Sequence, residues 1–97
     1  MKIVYFGSDK FAETILTALI DFPLDICAVV TTPDAKQGRG RIPCATPVKK
    51  RARDCNLPCL APRDLRDWGF LAHMQRLKAD IFAVVSYGKI LPPQLLD

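Results

Sequence analysis

The sequence holds little with which to bind a metal. It has a single histidine, His73, and its four cysteines, Cys27, Cys44, Cys55 and Cys59, include no C-x-x-C pair. Zinc sites need tighter ligand spacing than this, so no metal is expected and the thiols read as free, partly buried groups in a reducing compartment. The turn Gly7-Ser8-Asp9-Lys10-Phe11 has one glycine where the dinucleotide fingerprint uses three, which argues against NAD. No apolar run approaches the roughly 18–20 residues of a membrane span. Met1 to Gly7 is too brief for a signal peptide, and the expected location is the cytoplasm. Disorder is excluded by a hydrophobic content of 49% against 25% charged residues. At 97 residues the chain suits one domain or part of one.

One further absence is local. From Ala35 to Arg53 there is no acidic residue, while Lys36, Arg39, Arg41, Lys49, Lys50, Arg51 and Arg53 supply seven of the fourteen basic ones. The other seven stand against all ten carboxylates, so the net charge of +4 is a patch rather than a diffuse excess. A patch of this kind suits a polyanionic partner; the plainer reading is a solvated basic helix face.

The patch begins where an apolar run ends. Ile26 to Val30 reads as a buried strand, Pro33 breaks its ladder, and Gly38 and Gly40 then space the cations in a loop from Thr32 to Ala45. Upstream, Lys2 to Phe6 reads as the first strand, with Gly7 allowing a sharp turn. Ser8 or Asp9 can cap the next helix. Phe11, Ile15 and Leu19, with Ala12, Leu16 and Ile20, give that helix a broad apolar stripe over Phe11 to Asp21. Leu24 to Thr31 is the second strand.

Downstream, Thr46 and Pro47 are a helix start signal, and the helix reaches about Cys55, with Asn56 to end it. Leu57 to Pro62 is a short third strand with edge character. Asp64 or Asp67 opens a helix to about Lys78 whose buried face is Phe70, Leu71, Met74 and Leu77. His73, on its border, reads as structural, and Trp68 as packing at the helix start. Asp80 to Gly88 is the fourth strand, and Pro92-Pro93 start a last helix. Continuous apolar strands alternating with helices predict an α/β fold, a Rossmann-like open parallel sheet with flanking helices. Right-handed crossovers give strand order 3-2-1-4. The crest between Gly7 and Gly88 is then the switch point where ligands bind.

Gly7-Ser8-Asp9-Lys10-Phe11-Ala12, Thr31-Thr32-Pro33-Asp34, Gly38-Arg39-Gly40-Arg41, Thr46-Pro47-Val48-Lys49 and Tyr87-Gly88-Lys89-Ile90-Leu91-Pro92 closely resemble, in order, the N-terminal part of the methionyl-tRNA formyltransferase family. The likeness covers residues 1–97, as the N-terminal portion of a catalytic domain. Two positions depart from it. The family usually has Thr-Pro where this chain has Ser8-Asp9, and often a basic residue in place of Ile42.

The resemblance implies transfer of a formyl group from 10-formyltetrahydrofolate to the methionine amino group of initiator methionyl-tRNA. It implies that Lys36, Arg39 and Arg41, with Lys49 and Lys50, meet the tRNA, and that Gly88, Lys89, Ile90 and Leu91 wall the folate pocket. Family members catalyse with an Asn, a His and an Asp expected after Asp97, so the 97-residue chain alone is expected to be inactive. A full-length enzyme is expected to be monomeric. The fragment is expected to self-associate through its fourth strand, Ile81 to Tyr87, an open edge without a fifth. Two other functions compete. One is a related folate-dependent formyltransferase acting on a sugar nucleotide or small amine; the other is a non-catalytic anion- or RNA-binding module.

Overall fold

The computed structural model describes residues 1–37 and 42–96. In chain order the elements are β1 (Lys2–Gly7), α1 (Lys10–Ile20), β2 (Asp25–Val30), β3 (Ala35–Gln37), β4 (Ile42–Cys44), α2 (Pro47–Asp54), β5 (Cys59–Leu60), α3 (Trp68–Leu77), β6 (Ile81–Val85) and α4 (Pro93–Leu96). Four of the strands form one parallel sheet in the order β5-β2-β1-β6, which is the expected 3-2-1-4 arrangement.

β1 is the apolar centre. Val4, Tyr5 and Phe6 are fully buried, and each large apolar side chain so placed stabilises the fold by about 1.5–3 kcal/mol. Tyr5 faces Ala12 and Leu16 of α1 and Val48 and Ala52 of α2. Val4 and Phe6 face Phe70 and Met74 of α3, Tyr87 and Leu95. The sheet is therefore covered on both faces, which is why its strands read as unbroken apolar runs. A bulge adjusts the neighbour strand: Ile3 pairs with Ile26 but Val4 with Ala28, leaving Cys27 as the extra residue. The bulge brings Ile26 and Val29, three apart in sequence, onto one face.

Each long helix starts on a side-chain cap. Asp9 accepts from the Ala12 amide at the head of α1, Thr46 from Lys49 ahead of Pro47 in α2, and Asp67 from Phe70 in α3. Asn56, with φ 57°, turns the chain out of α2.

Several expectations are corrected. The segment read as a loop from Thr32 to Ala45 holds a ribbon, β3 antiparallel to β4, with Lys36 opposite Pro43. The third strand is only Cys59–Leu60, because Pro58 and Pro62 have no N–H to extend the ladder. Gly7 does not serve as a flexible turn. It is the last residue of β1, and a Cβ there would lie 2.7 Å from the Ala12 Cβ and 2.8 Å from the Val85 carbonyl oxygen. Glycine is required for close approach of α1 and β6. Phe11 does not join the apolar stripe but is 62% exposed, one step round the helix from the buried face made by Ala12 and Leu16. Trp68 does not pack at the start of α3; it is 87% exposed.

Candidate ligand-binding crest

Because the strands are parallel, the turns after β1, β2 and β6 gather along one edge of the sheet, at 7–10, 31–34 and 86–92. Ser8 joins them. Its hydroxyl donates to the Tyr87 carbonyl at 3.0 Å and accepts from the Thr32 amide at 3.2 Å and the Thr32 hydroxyl at 3.0 Å. The fully buried Thr31 places its Oγ1 3.4 Å from Ser8 Oγ and 2.7 Å from Thr46 Oγ1. Protons running from Thr46 to Thr31 to Ser8 to the Tyr87 carbonyl give the series one direction, with the 3.4 Å contact from Thr31 the longest of three donors facing the two lone pairs of Ser8 Oγ. Thr46 also accepts the Lys49 amide as the cap of α2, so the network reaches from β6 to α2.

Asp9 grips the same turn from the other side. Its Oδ1 accepts the Ala12 amide at 2.9 Å and its Oδ2 accepts the Ser86 hydroxyl at 2.5 Å. Those bonds, the Ser86 hydroxyl first, hold the Asp9 carboxyl below the usual carboxylate range. Beneath it, Tyr5 donates its buried hydroxyl to the Ala12 carbonyl at 2.7 Å. Burial, with the Asp9 charge adding to it, pushes the Tyr5 phenol up to about 12.

The turn after β6 departs from ordinary backbone at two points, Ser86 with φ 50° and Gly88 with φ 91°. Gly88 is exposed, and an added Cβ would meet no described atom within 4 Å. Lys89 does not point outward. Its ammonium donates to the Arg63 carbonyl at 3.0 Å and to that of Pro62 at 3.5 Å, bracing the turn against the segment ahead of α3. Ile90 is 94% exposed, while Leu91 packs on the core under α3. Arg63, Asp64, Arg66, Lys89 and Ile90 border a cavity of about 190 Å³. The four residues expected to wall a pocket thus occupy one turn, with two roles: Gly88 and Ile90 are presented, and Lys89 and Leu91 anchor. Tyr87, just before them, lies edge-on to Phe6 with ring centroids 5.4 Å apart, and burial raises its phenol pKa.

Of the expected tRNA-facing residues, three are described. Lys36 falls in β3, Arg39 and Arg41 lie outside the described residues, and Lys50 is exposed on α2. Lys49 is engaged, its ammonium 2.9 Å from Asp34. That acid sits immediately before the acid-free stretch and escapes a count that begins at Ala35. Of the residues that organise the crest, Asp9 and Thr46 announced themselves in sequence, as helix caps. Ser8, Thr31 and Thr32 are ordinary polar residues until the strands bring them together.

A larger cavity of about 550 Å³ lies away from the crest, against α3, α4 and the open side of β6. His73 is exposed on α3, beside an apolar hollow bordered by Leu60, Pro62 and Phe70. Among the described residues no group of three or more His, Cys, Asp or Glu is placed to hold a metal ion, and no helix is long and apolar enough to cross a membrane. Burial raises the thiol pKa of Cys27 and Cys59.

Over residues 1–97 the chain matches the formyl transferase family. A methionyl-tRNA formyltransferase of Chlamydia muridarum is 42% identical over 97 residues, covering 100% of this chain and 31% of the relative. Its counterpart in Pelotomaculum thermopropionicum is 41% identical over 96 residues, with 99% and 31% covered. That of Pseudomonas fluorescens is 42% identical, with 100% and 30% covered. The chain spans about a third of the length of the curated relatives it matches. Among solved structures, a phosphoribosylglycinamide formyltransferase from Bacillus halodurans shares the fold. The TM-score is 0.66 at 14% identity, over 99% of this chain and 50% of that one.

Proposed function

The chain belongs to the formyl transferase family, and from that premise we propose that it is the N-terminal portion of a methionyl-tRNA formyltransferase catalytic domain. The reaction is transfer of a formyl group from 10-formyltetrahydrofolate to the methionine amino group of initiator methionyl-tRNA. The observation that carries this reading is identity of about 40% to enzymes of that name along the whole chain.

The chain's own share of the work is binding and orientation. Gly88 offers backbone donors and acceptors with no side chain in the way, and Ile90 offers an apolar surface beside them. That combination suits a flat heterocycle with several polar edges. Arg63 and Arg66 at the adjoining cavity suit the carboxylates of a folate. The donor supplies the one-carbon group; Lys89 and Leu91 keep the turn against the core while it is held. Lys36, Arg39 and Arg41 meet tRNA phosphates, with Lys50 supporting them from α2 and Lys49 contributing less because Asp34 already holds it. None of the residues named here is assigned to attack by the amine or to proton transfer.

The full-length enzyme works as a cytoplasmic monomer. It would be given 10-formyltetrahydrofolate with either initiator methionyl-tRNA or an amino-sugar nucleotide. Formylation of the tRNA, weakening steeply as salt rises from roughly 50 to 200 mM, is the expected result. Formylation of the sugar alone would make the chain part of a sister enzyme. Tight tRNA binding without folate binding would make it a binding module.

A further inference from the structure

We propose that Ser8 is a two-armed positioning residue that holds the formyl-donor turn and the stem of the basic ribbon in one register. It rests on the reading of the crest as a site for folate and tRNA.

The first arm reaches β6. Ser8 gives its amide proton to the Ser86 carbonyl at 3.3 Å and its hydroxyl proton to the Tyr87 carbonyl at 3.0 Å. These carbonyls belong to the residues immediately before Gly88. Ser86 has the left-handed φ of 50°, which a serine does not hold by its own preference, so contacts from outside the turn must hold it.

The second arm reaches the ribbon at both of its ends. Thr32, two residues before Asp34 and β3, gives Ser8 Oγ its amide proton at 3.2 Å and its hydroxyl proton at 3.0 Å. Thr46, just after β4, is tied to the same oxygen through Thr31, by contacts of 2.7 and 3.4 Å. One side-chain oxygen therefore fixes where the ribbon leaves the sheet, where it returns, and where the turn ahead of Gly88 sits. Removing it leaves two Thr32 protons without their acceptor and one carbonyl without its donor. Both binding elements lose their common reference.

The test uses the full-length protein with tetrahydrofolate and initiator methionyl-tRNA as probes, and dissociation constants as the readout. Ser8→Ala is expected to weaken both by about fivefold, the size of one neutral hydrogen bond, and Ser8→Thr, which keeps the hydroxyl, to stay within twofold. Thr32→Val removes the Thr32 hydroxyl bond to Ser8 and should weaken tRNA alone, whereas Ser86→Ala leaves both Ser8 bonds to β6 in place, removes only the contact of the turn with Asp9, and should not reproduce the tRNA loss of Ser8→Ala. A Ser8→Ala protein within twofold of wild type for both probes overturns the inference, as does a Thr32→Val protein that weakens both probes alike. Should Ser8→Ala fail to fold, Thr32→Val decides the matter: a loss of tRNA affinity with tetrahydrofolate affinity unchanged supports the inference, and tRNA affinity within twofold of wild type overturns it. A wild-type protein that binds neither probe refutes the reading of the crest itself, which no variant is needed to reveal.

Discussion

Ser86 gives its hydroxyl proton to Oδ2 of Asp9 at 2.5 Å, joining the end of β6 to the head of α1. The acceptor is the carboxylate that also caps the helix through the Ala12 amide. Both bonds favour the charged form, so the Asp9 pKa is lower in the fold than in the unfolded chain. Their stabilisation is present above the ordinary carboxylate pKa and is lost as pH falls through the lowered one. Asp9→Asn keeps a capping oxygen but cannot titrate. Melting temperatures taken from pH 7 down to pH 3 should fall less steeply for Asp9→Asn than for wild type. Parallel slopes would show that Asp9 plays no part in acid sensitivity.

Gly7→Ala tests the close approach of three elements. The new Cβ would sit 2.7 Å from the Ala12 Cβ and 2.8 Å from the Val85 carbonyl oxygen, and a backbone carbonyl in a paired strand cannot swing away. Overpacking of this kind costs roughly 1–3 kcal/mol, here toward the upper end. Urea unfolding should show the midpoint falling with an unchanged slope. A midpoint equal to wild type would mean that α1 slides freely over the sheet.

At Gly88 the difficulty for a side chain is conformational. The backbone has φ 91° and an added Cβ meets nothing described within 4 Å. Strain of this sort costs about 1–3 kcal/mol for a non-glycine residue and arises with the first carbon. Gly88→Ala should therefore lose most of the tetrahydrofolate affinity that Gly88→Val loses. Losses that grow in step with side-chain volume, with Ala near wild type, would make crowding the cause.

Long-range order was more legible than local detail, for a physical reason. Ile26 to Val30 and Ile81 to Val85 are unbroken apolar runs because both sheet faces are covered, and Pro and Gly mark their ends. From such runs the strand order follows. The β3–β4 ribbon gave no such signal: Ala35-Lys36-Gln37 and Ile42-Pro43-Cys44 have no alternation, and Pro43 argues against a strand. Trp68 and Phe11 looked buried because apolarity was the only cue, whereas exposure depends on how a helix sits against the sheet. The crest was half legible. Gly88 to Leu91 stood out as a turn, but that Lys89 would face inward to the Arg63 carbonyl depends on a segment 26 residues away.

Lys49 should stand apart from the other basic residues, because Asp34 already holds it. Arg39→Ala and Arg41→Ala in the full-length protein should each weaken tRNA binding and flatten its salt dependence, by somewhat under one unit of slope for each phosphate no longer neutralised, with tetrahydrofolate affinity unchanged. Lys49→Ala should do less, since its ammonium is 2.9 Å from Asp34 and an exposed pair of this kind contributes only about 0.2–1 kcal/mol to stability. Binding isotherms at several salt concentrations check both. A tetrahydrofolate loss as large as the tRNA loss would sink this division.

β6 ends the sheet on one side, and two of its apolar residues, Ile81 at 43% and Val84 at 46%, are substantially exposed. The backbone on that side has no neighbour among the described residues, and the groove of about 550 Å³ beside it is bordered by Leu71, Met74 and Phe82. An open parallel edge with apolar flanks pairs with another strand when one is within reach. The 97-residue chain should therefore self-associate as its concentration rises, with light scattering reporting a mass above 10.8 kDa. Val84→Lys places a charge on the edge at little cost to the core and should return the chain toward the monomer mass. A wild-type chain that stays monomeric at high concentration would rule this edge out. Association that Val84→Lys leaves untouched would place the interface elsewhere on the surface.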